Sequence, residues 1–131
     1  SKYPMPTKAT IENFIKAVEK EPHDRVIPQF YAEDASIQEN QNTPRVGREN
    51  LIKNEEGMLS KALSVHSKCV RPYFQIENRV VIRWRFQFEW KDNTMTEIEE
   101  LAYQEWQGDK IKQEQFFYDP KQFVPKNKTA S

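Results

Sequence analysis

Apolar positions along this chain repeat with a helical spacing up to about residue 63 and with a period of two beyond it. Ile11, Phe14, Ile15 and Val18 fall on one face of a helix predicted over residues 10–20, with Thr7 as its N-cap and Pro22 beyond its end. Asp24 is placed to cap a second short helix whose apolar stripe is Val26, Ile27, Phe30 and Tyr31. Residues 35–39 alternate and predict a short strand, followed by a polar loop to Val46. Gly47 opens a third helix reaching about Leu63, with Leu51, Ile52, Met58, Leu59, Ala62 and Leu63 facing inward. Four long strands then follow, over residues 65–76, 80–91, 95–106 and 111–118. The second is the clearest. Ile82, Trp84, Phe86, Phe88 and Trp90 alternate with Arg83, Arg85, Gln87 and Glu89, which gives one apolar and one polar face. Asp92-Asn93 and Gln107-Gly108-Asp109 supply turns, and Pro120 ends the sheet.

Helices followed by a run of strands predict an α+β fold. Three N-terminal helices would pack on a strongly bent antiparallel sheet, making a cone with an internal pocket. The pattern gives one domain over residues 1–120 and a polar C-terminal tail over 121–131, expected to be mobile unless Phe123 and Val124 dock.

The chain has 131 residues, few enough for one domain, and eight Phe, five Tyr and three Trp supply a small, aromatic-rich core. Twenty basic residues balance twenty acidic ones, so the chain lacks the electrostatic footprint of a general nucleic-acid binder. No apolar run approaches the roughly 18 residues of a membrane span. No signal-peptide pattern is seen, and a single cysteine, Cys69, has no internal disulfide partner, so the expected location is the cytoplasm. Two histidines, His23 and His66, lie in unrelated contexts and give no metal-ligand spacing. No Ser-His-Asp pattern, phosphate loop or nucleotide fingerprint is seen.

Several stretches resemble one known group. Phe30-Tyr31-Ala32-Glu33-Asp34-Ala35-Ser36-Ile37, Val46-Gly47-Arg48-Glu49, Ala102 through Ile111, and Phe116-Phe117-Tyr118-Asp119-Pro120 are similar to segments of the nuclear transport factor 2-like superfamily, which includes ketosteroid isomerases and SnoaL-like polyketide cyclases. The resemblance covers about residues 7–120 and speaks to fold more than to reaction. It implies that Glu39 falls where ketosteroid isomerases carry their general base. It also implies that Phe14 and Ala102 fall where they carry two oxyanion donors. Neither residue can donate, so steroid isomerisation as such is not expected.

Strand parity supplies the remaining candidates. Glu100, Ala102, Gln104 and Trp106 share a face with each other, and so do Glu114, Phe116 and Tyr118. With a tight turn at Gly108, Glu114 is expected beside Ala102, replacing the missing carboxyl from the adjacent strand. Glu39, Glu100 and Glu114 are therefore the candidate catalytic groups. Phe14, Trp84, Phe86, Phe88, Gln104, Trp106, Phe116 and Tyr118 are the candidate ligand-binding set. The expected function is a SnoaL-like isomerase, cyclase or lyase that moves protons with carboxylates and needs no cofactor and no metal, acting on a small apolar or aromatic molecule. The alternatives are a non-catalytic module binding a flat apolar ligand, or an interaction protein with a collapsed pocket. The opposite sheet face, with Leu101 and Tyr103 among charges, is expected to form a homodimer, an association the resemblance also implies.

Overall fold

The computed structural model describes residues 3–128. In chain order its elements are α1 (Lys8–Lys20), α2 (His23–Phe30), β1 (Tyr31–Glu39), β2 (Arg45–Val46), α3 (Arg48–Leu59), β3 (Ala62–Ile76), β4 (Arg79–Trp90), β5 (Thr94–Gln107), β6 (Lys110–Phe117), a 3-10 turn (Pro120–Phe123) and β7 (Lys126–Asn127). Three helices pack on a curved sheet of seven strands. The fold is α+β, as expected.

Each helix follows from local chemistry. The Thr7 hydroxyl accepts the Thr10 amide at 3.0 Å and caps α1, whose buried face is Ile11, Phe14, Ile15, Ala17 and Val18. Helix α2 starts one residue before the expected Asp24 cap and carries Pro28 inside it. Proline has no amide to donate, and the helix ends two residues later. Tyr31, expected on the helical stripe, is instead the first residue of β1 and is buried. Helix α3 is shorter than expected. It stops at Leu59, and Ala62 and Leu63 belong to β3, where Leu63 is exposed.

The sheet order is β2-β1-β6-β5-β4-β3, with β7 added against β5. Strands β3 to β6 form the expected antiparallel meander, but the sheet as a whole is mixed because β1 runs parallel to β6. That pairing sets Glu39 beside Phe116 and Ile37 beside Glu114. The β5–β6 register pairs Gln104 with Glu114 and Ala102 with Phe116, with an irregularity between Glu105 and Trp106. Glu114 therefore lies opposite Gln104, two residues from the expected Ala102. The turn pairs Gln107 with Lys110, one step from that expectation, and the irregularity adds a second, so the two-residue shift keeps Glu114 on the same face.

The concave face of β4 is Val80, Ile82, Trp84, Phe86, Phe88 and Trp90, all buried. Trp84 stacks on Phe86 and Phe88 on Trp90, with centroids 5.6 and 5.1 Å apart. Phe14 of α1 meets Phe30, Tyr31, Trp84 and Trp106 edge to face, which ties α1 to the sheet. Cys69 is buried, and its amide donates to Glu19.

Residues 121–128, expected as a mobile tail, are docked. Thr96 is buried on β5; it accepts from Trp90 Nε1 at 2.8 Å and donates to the Phe123 carbonyl at 3.0 Å. Gln122 accepts the Glu99 amide, and Lys126 and Asn127 pair with Met95 and Thr94. Phe123 lies against Phe88 and Trp90. Phe123 and this ladder hold the segment, while Val124 is exposed. Ser1, Lys2 and residues 129–131, the ends of the expected arm and tail, lie outside the described residues. Among the described residues no helix is long and apolar enough to cross a membrane.

The β3–β4 turn depends on Asn78, which is almost fully buried. Its side-chain amide donates to the Trp106 carbonyl at 2.8 Å, and its own carbonyl accepts the Trp106 amide at 2.8 Å. Asn78→Ala leaves the buried Trp106 carbonyl without its side-chain donor. It is expected to lower stability by about 1–3 kcal/mol. The check is urea unfolding, with a lower midpoint at unchanged slope.

Candidate active site

The cone holds a cavity of about 300 Å³ between the concave sheet face and the helices. Phe14 and Val18 of α1, Val26 and Ile27 of α2, and Met58 of α3 make its helical wall. Trp84, Phe86, Phe88, Ile98 and Phe116 make its sheet wall, and Phe123 closes one side. Glu39, Glu100 and Glu114 all face this space, as do Tyr31, Arg45, Glu55, His23 and Tyr118.

The three carboxyl groups expected from the sequence meet here in different surroundings. Glu39 ends β1. Its neighbour Asn40 takes a positive φ of 50° and clamps the end of β6, donating its amide to the Phe116 carbonyl and accepting the Tyr118 amide on its side chain. This brings Tyr118 Oη to donate to Glu39 Oε1 at 2.8 Å, while Arg45 Nη2 donates to Oε2 at 2.8 Å. Glu39 is thus ion-paired on one oxygen and hydrogen-bonded on the other. Burial and the facing Glu39 carboxylate hold the Tyr118 hydroxyl protonated well above its usual range.

Glu114 is buried deepest. Tyr31 Oη donates to its Oε1, and Gln104 Nε2 donates to its Oε2 at 2.7 Å. Gln104 is oriented in turn by Trp106 Nε1, which donates to its Oε1 at 2.9 Å. Gln104 and Trp106, expected as ligand contacts, are both fully buried and do not line the cavity. They stand behind Glu114 and fix its position. Phe14 packs edge to face on Trp84 and Trp106, and Glu114 lines the cavity. Burial pushes Glu114 up to about 7, against the lowering effect of its two donors. Burial also raises Tyr31 well above the usual phenol range, with the Glu114 charge adding to it.

Glu100 lies opposite Trp84 on β4. It has no side-chain hydrogen bond or ion pair among the described residues. Burial pushes it up to about 8, and the negative charges of Glu39, Glu114 and Glu55 add to the shift. The arrangement therefore offers a paired carboxylate, a carboxyl poised near neutrality and a carboxyl protonated at neutrality, all on one apolar cavity.

Four titratable lining residues lie outside the sequence candidates. Tyr31 continues the helical stripe of α2 in the sequence but belongs to β1. Arg45 comes from a polar loop whose two-residue strand has no periodic signal. His23 and Glu55 come from two helices, with His23 Nδ1 3.5 Å from Glu55 Oε1 and His23 Nε2 2.8 Å from Ser67 Oγ on β3. A Ser-His-acid line thus exists in space although the sequence shows none. It fixes the imidazole edge-on against Phe86 in the cavity wall. His66 is exposed and lies away from the cavity. No group of three or more His, Cys, Asp or Glu among the described residues has a metal-holding arrangement.

No protein-family model matches the chain, and no curated protein matches it. Solved structures do. A Catenulispora acidiphila protein with a ketosteroid isomerase-like fold, in complex with trimethylamine, superposes with a TM-score of 0.74 at 15% identity over 90% of this chain and 91% of that one. A protein from Jannaschia sp. CCS1 named as a SnoaL-like polyketide cyclase gives 0.73 at 10% identity over 92% of each chain. An epoxide hydrolase of Mycobacterium tuberculosis gives 0.72 at 10% identity over 88% and 84%. The chain thus has the nuclear transport factor 2-like fold, which it shares with these structures. Among its structural neighbours this fold carries enzymes.

The raised carboxyls fix the sign of a pH effect. A carboxyl whose pKa is higher in the folded chain than in the unfolded one binds more protons when folded, so stability falls as pH rises. The stability is fully present below the usual carboxyl range and is lost as pH climbs toward about 8, where Glu100 ionises, with Glu114 contributing toward about 7. Glu100→Gln is expected to flatten most of this decline and to raise stability at pH 8.5 relative to the parent. Urea midpoints from pH 4.5 to 9 measure it. An unchanged slope in the variant would show that Glu100 is ionised throughout.

Proposed function

We propose that the protein is an enzyme that rearranges a small, largely apolar molecule by carboxylate acid–base catalysis, without a cofactor. The observation that supports this most is the separation of carboxyl environments around one cavity. Glu39 is ion-paired to Arg45, while Glu114 holds its proton up to about 7. In this reading Glu39 accepts a proton from a carbon next to a carbonyl. The C–H electron pair forms the new double bond, the carbonyl electrons move onto oxygen, and Glu114 gives that oxygen a proton. Tyr31 and Gln104 position Glu114, Trp106 positions Gln104, and Glu100 orients the substrate. Phe14, Trp84, Phe86, Phe88, Phe116 and Tyr118 are its walls. The trimethylamine held by one structural neighbour supports the reading of such a cone as a small-molecule site. The open cavity speaks against a collapsed, purely structural pocket.

The test is proton exchange. Acetylacetone and cyclohex-3-enone, both small enough for the cavity, are incubated in D2O with the protein and followed by NMR. Deuterium uptake above the buffer rate is expected, with a loss of about 10²-fold or more in Glu39→Gln and a smaller loss in Glu114→Gln. Uptake at the buffer rate for both compounds would favour the non-catalytic binding module.

The convex sheet face supports a homodimer. Leu101, Tyr103 and Phe117 are about 40% exposed there, with Phe74 more so. Around them Arg83 bonds to Glu99, and Arg79 pairs with Glu105 at 2.9 Å. An apolar centre inside a rim of self-satisfied charges suits a second copy of the same face. Tyr103→Glu puts a third negative charge beside Glu99 and Glu105. It is expected to shift the dimer to monomer in sedimentation at micromolar concentration. A monomeric parent protein would remove the proposal.

A further inference from the structure

Of the four carboxyls on the cavity, Glu55 and Glu100 have no proton to move in the mechanism above. Glu55 lies 3.5 Å from His23, and Glu100 alone has no side-chain partner among the described residues. Its surroundings decide what would satisfy it. Trp84 is its partner across the β4–β5 ladder, and Tyr118 faces the same space from the end of β6. Phe86, Phe88 and Phe123 continue the aromatic wall. These rings offer no strong donor along most of the surface. They do offer π faces, which attract positive charge at about 6 Å from a ring centre.

Charge points the same way. Glu39 comes from β1, Glu55 from α3, Glu100 from β5 and Glu114 from β6. Against them stand Arg45 from β2 and His23 from α2. Arg45 is already committed to Glu39, and His23 lies between Glu55 and Ser67. Glu100 and Glu114 have no ion-pair partner among the described residues. A ligand carrying a carboxylate or phosphate would add like charge to an already acidic space. A neutral ligand would leave Glu100 to be neutralised by a proton. A ligand carrying a compact, weakly hydrated positive charge would satisfy the carboxyl and the rings together.

We propose that the substrate of this cavity bears an alkylammonium group, seated between the Glu100 carboxylate and the rings of Trp84, Phe86 and Tyr118. The inference rests on the reading of the cavity as the substrate site and names the class of molecule it takes. A volume of about 300 Å³ limits the whole ligand to a small one, at the lower end of ordinary ligand pockets. Binding also has a proton signature. Without a cation beside it, Glu100 keeps its proton up to about 8, under the influence of burial and of Glu39, Glu114 and Glu55. An ammonium group takes the place of that proton, so binding releases it to solvent and strengthens as pH rises through that range. Glu39 with Arg45, Glu55 with His23, Glu114, Tyr31 and Tyr118 also face this space, so the variant below is needed to assign the proton.

The experiment compares choline with 3,3-dimethylbutan-1-ol, its uncharged carbon isostere, by calorimetry on the full chain at pH 6, 7.5 and 9. Choline is expected to bind at least tenfold more tightly than the alcohol at pH 9. Its affinity should rise with pH, and about one proton should be released per choline bound at pH 7.5, measured in buffers of different ionisation enthalpy. Glu100→Gln should lose the tenfold advantage and the proton release while binding the alcohol as the parent does. Glu100→Asp should retain part of the advantage. Equal binding of the two ligands, choline affinity unaffected by Glu100→Gln, or no choline binding at millimolar concentration would each overturn the proposal. The outcome is separable from the enzymatic reading. Choline binding through Glu100 without Glu39-dependent exchange would remove the proton-transfer chemistry and keep the cation site. Exchange on neutral ketones without choline binding would do the reverse.

Discussion

A carboxyl group set on a face of aromatic rings must be paired, hydrogen-bonded or protonated, because rings cannot replace its hydration. The concave side of this sheet carries three such groups, and each meets the requirement differently. Glu39 has a guanidinium and a phenol, Glu114 has a phenol and an amide, and Glu100 has only a proton to turn to. Most of the site follows from that constraint. Tyr31, Gln104 and Trp106 form a line of donors that ends on Glu114, so the edge of the core is organised around one buried acid. Arg45 belongs to β2, whose pairing with β1 sets it beside Glu39.

The pairing that makes this possible is the parallel contact between β1 and β6. It joins residues about 80 positions apart and sets both ends of the cavity at once. Tyr31 at the start of β1 reaches Glu114, and Glu39 at its end reaches Tyr118. Asn40, in a left-handed conformation that asparagine tolerates, holds the second contact in place. The Phe123 strap does the same for the far wall, through Thr96 and the short β7 ladder. The cavity is thus bounded by long-range contacts on each side, not by a single flexible loop.

The meander was legible because period two names a face directly. Trp84, Phe86 and Phe88, with Glu100 and Glu114, were assigned to the concave side by parity alone, and that is where they lie. Parity does not give depth, however. Gln104 and Trp106 have the same parity as Glu100, yet both are fully buried and do not line the cavity. The register at Glu114 depends on two single steps, one at the Gly108 turn and one at the irregularity between Glu105 and Trp106, which no turn rule locates. Tyr31 was hidden because its position continues the apolar stripe of α2, and only Pro28 hinted that the helix was about to stop. His23, Arg45 and Glu55 come from three separate elements, so no spacing could bring them together. The docked segment after Pro120 was under-read because Phe123 and Val124 are two apolar residues in an otherwise polar stretch.

The distribution of charge across the molecule gives the last step. Away from the cavity, ionised groups follow the ordinary rule of lying at the surface in pairs. Glu12 bonds Arg71, Asp34 bonds Lys112, Glu99 bonds Arg83 and Glu89 bonds Lys128. Such exposed pairs contribute little to stability and constrain little else. Inside the cone the rule is broken repeatedly within one space of about 300 Å³. A leucine or methionine at 100 or 114 would pack against Trp84 or Tyr31 with no desolvation cost, so a core selected for stability alone would not carry carboxyls there. Local rules that fail together, in one place lined by hydroxyls and a guanidinium as well as by rings, mark where the fold is working against its own stability. In this chain that place coincides with the open volume, and Glu100 is the group whose cost no side chain among the described residues offsets. That is why the identity of its missing partner is the most informative question the structure poses about the substrate.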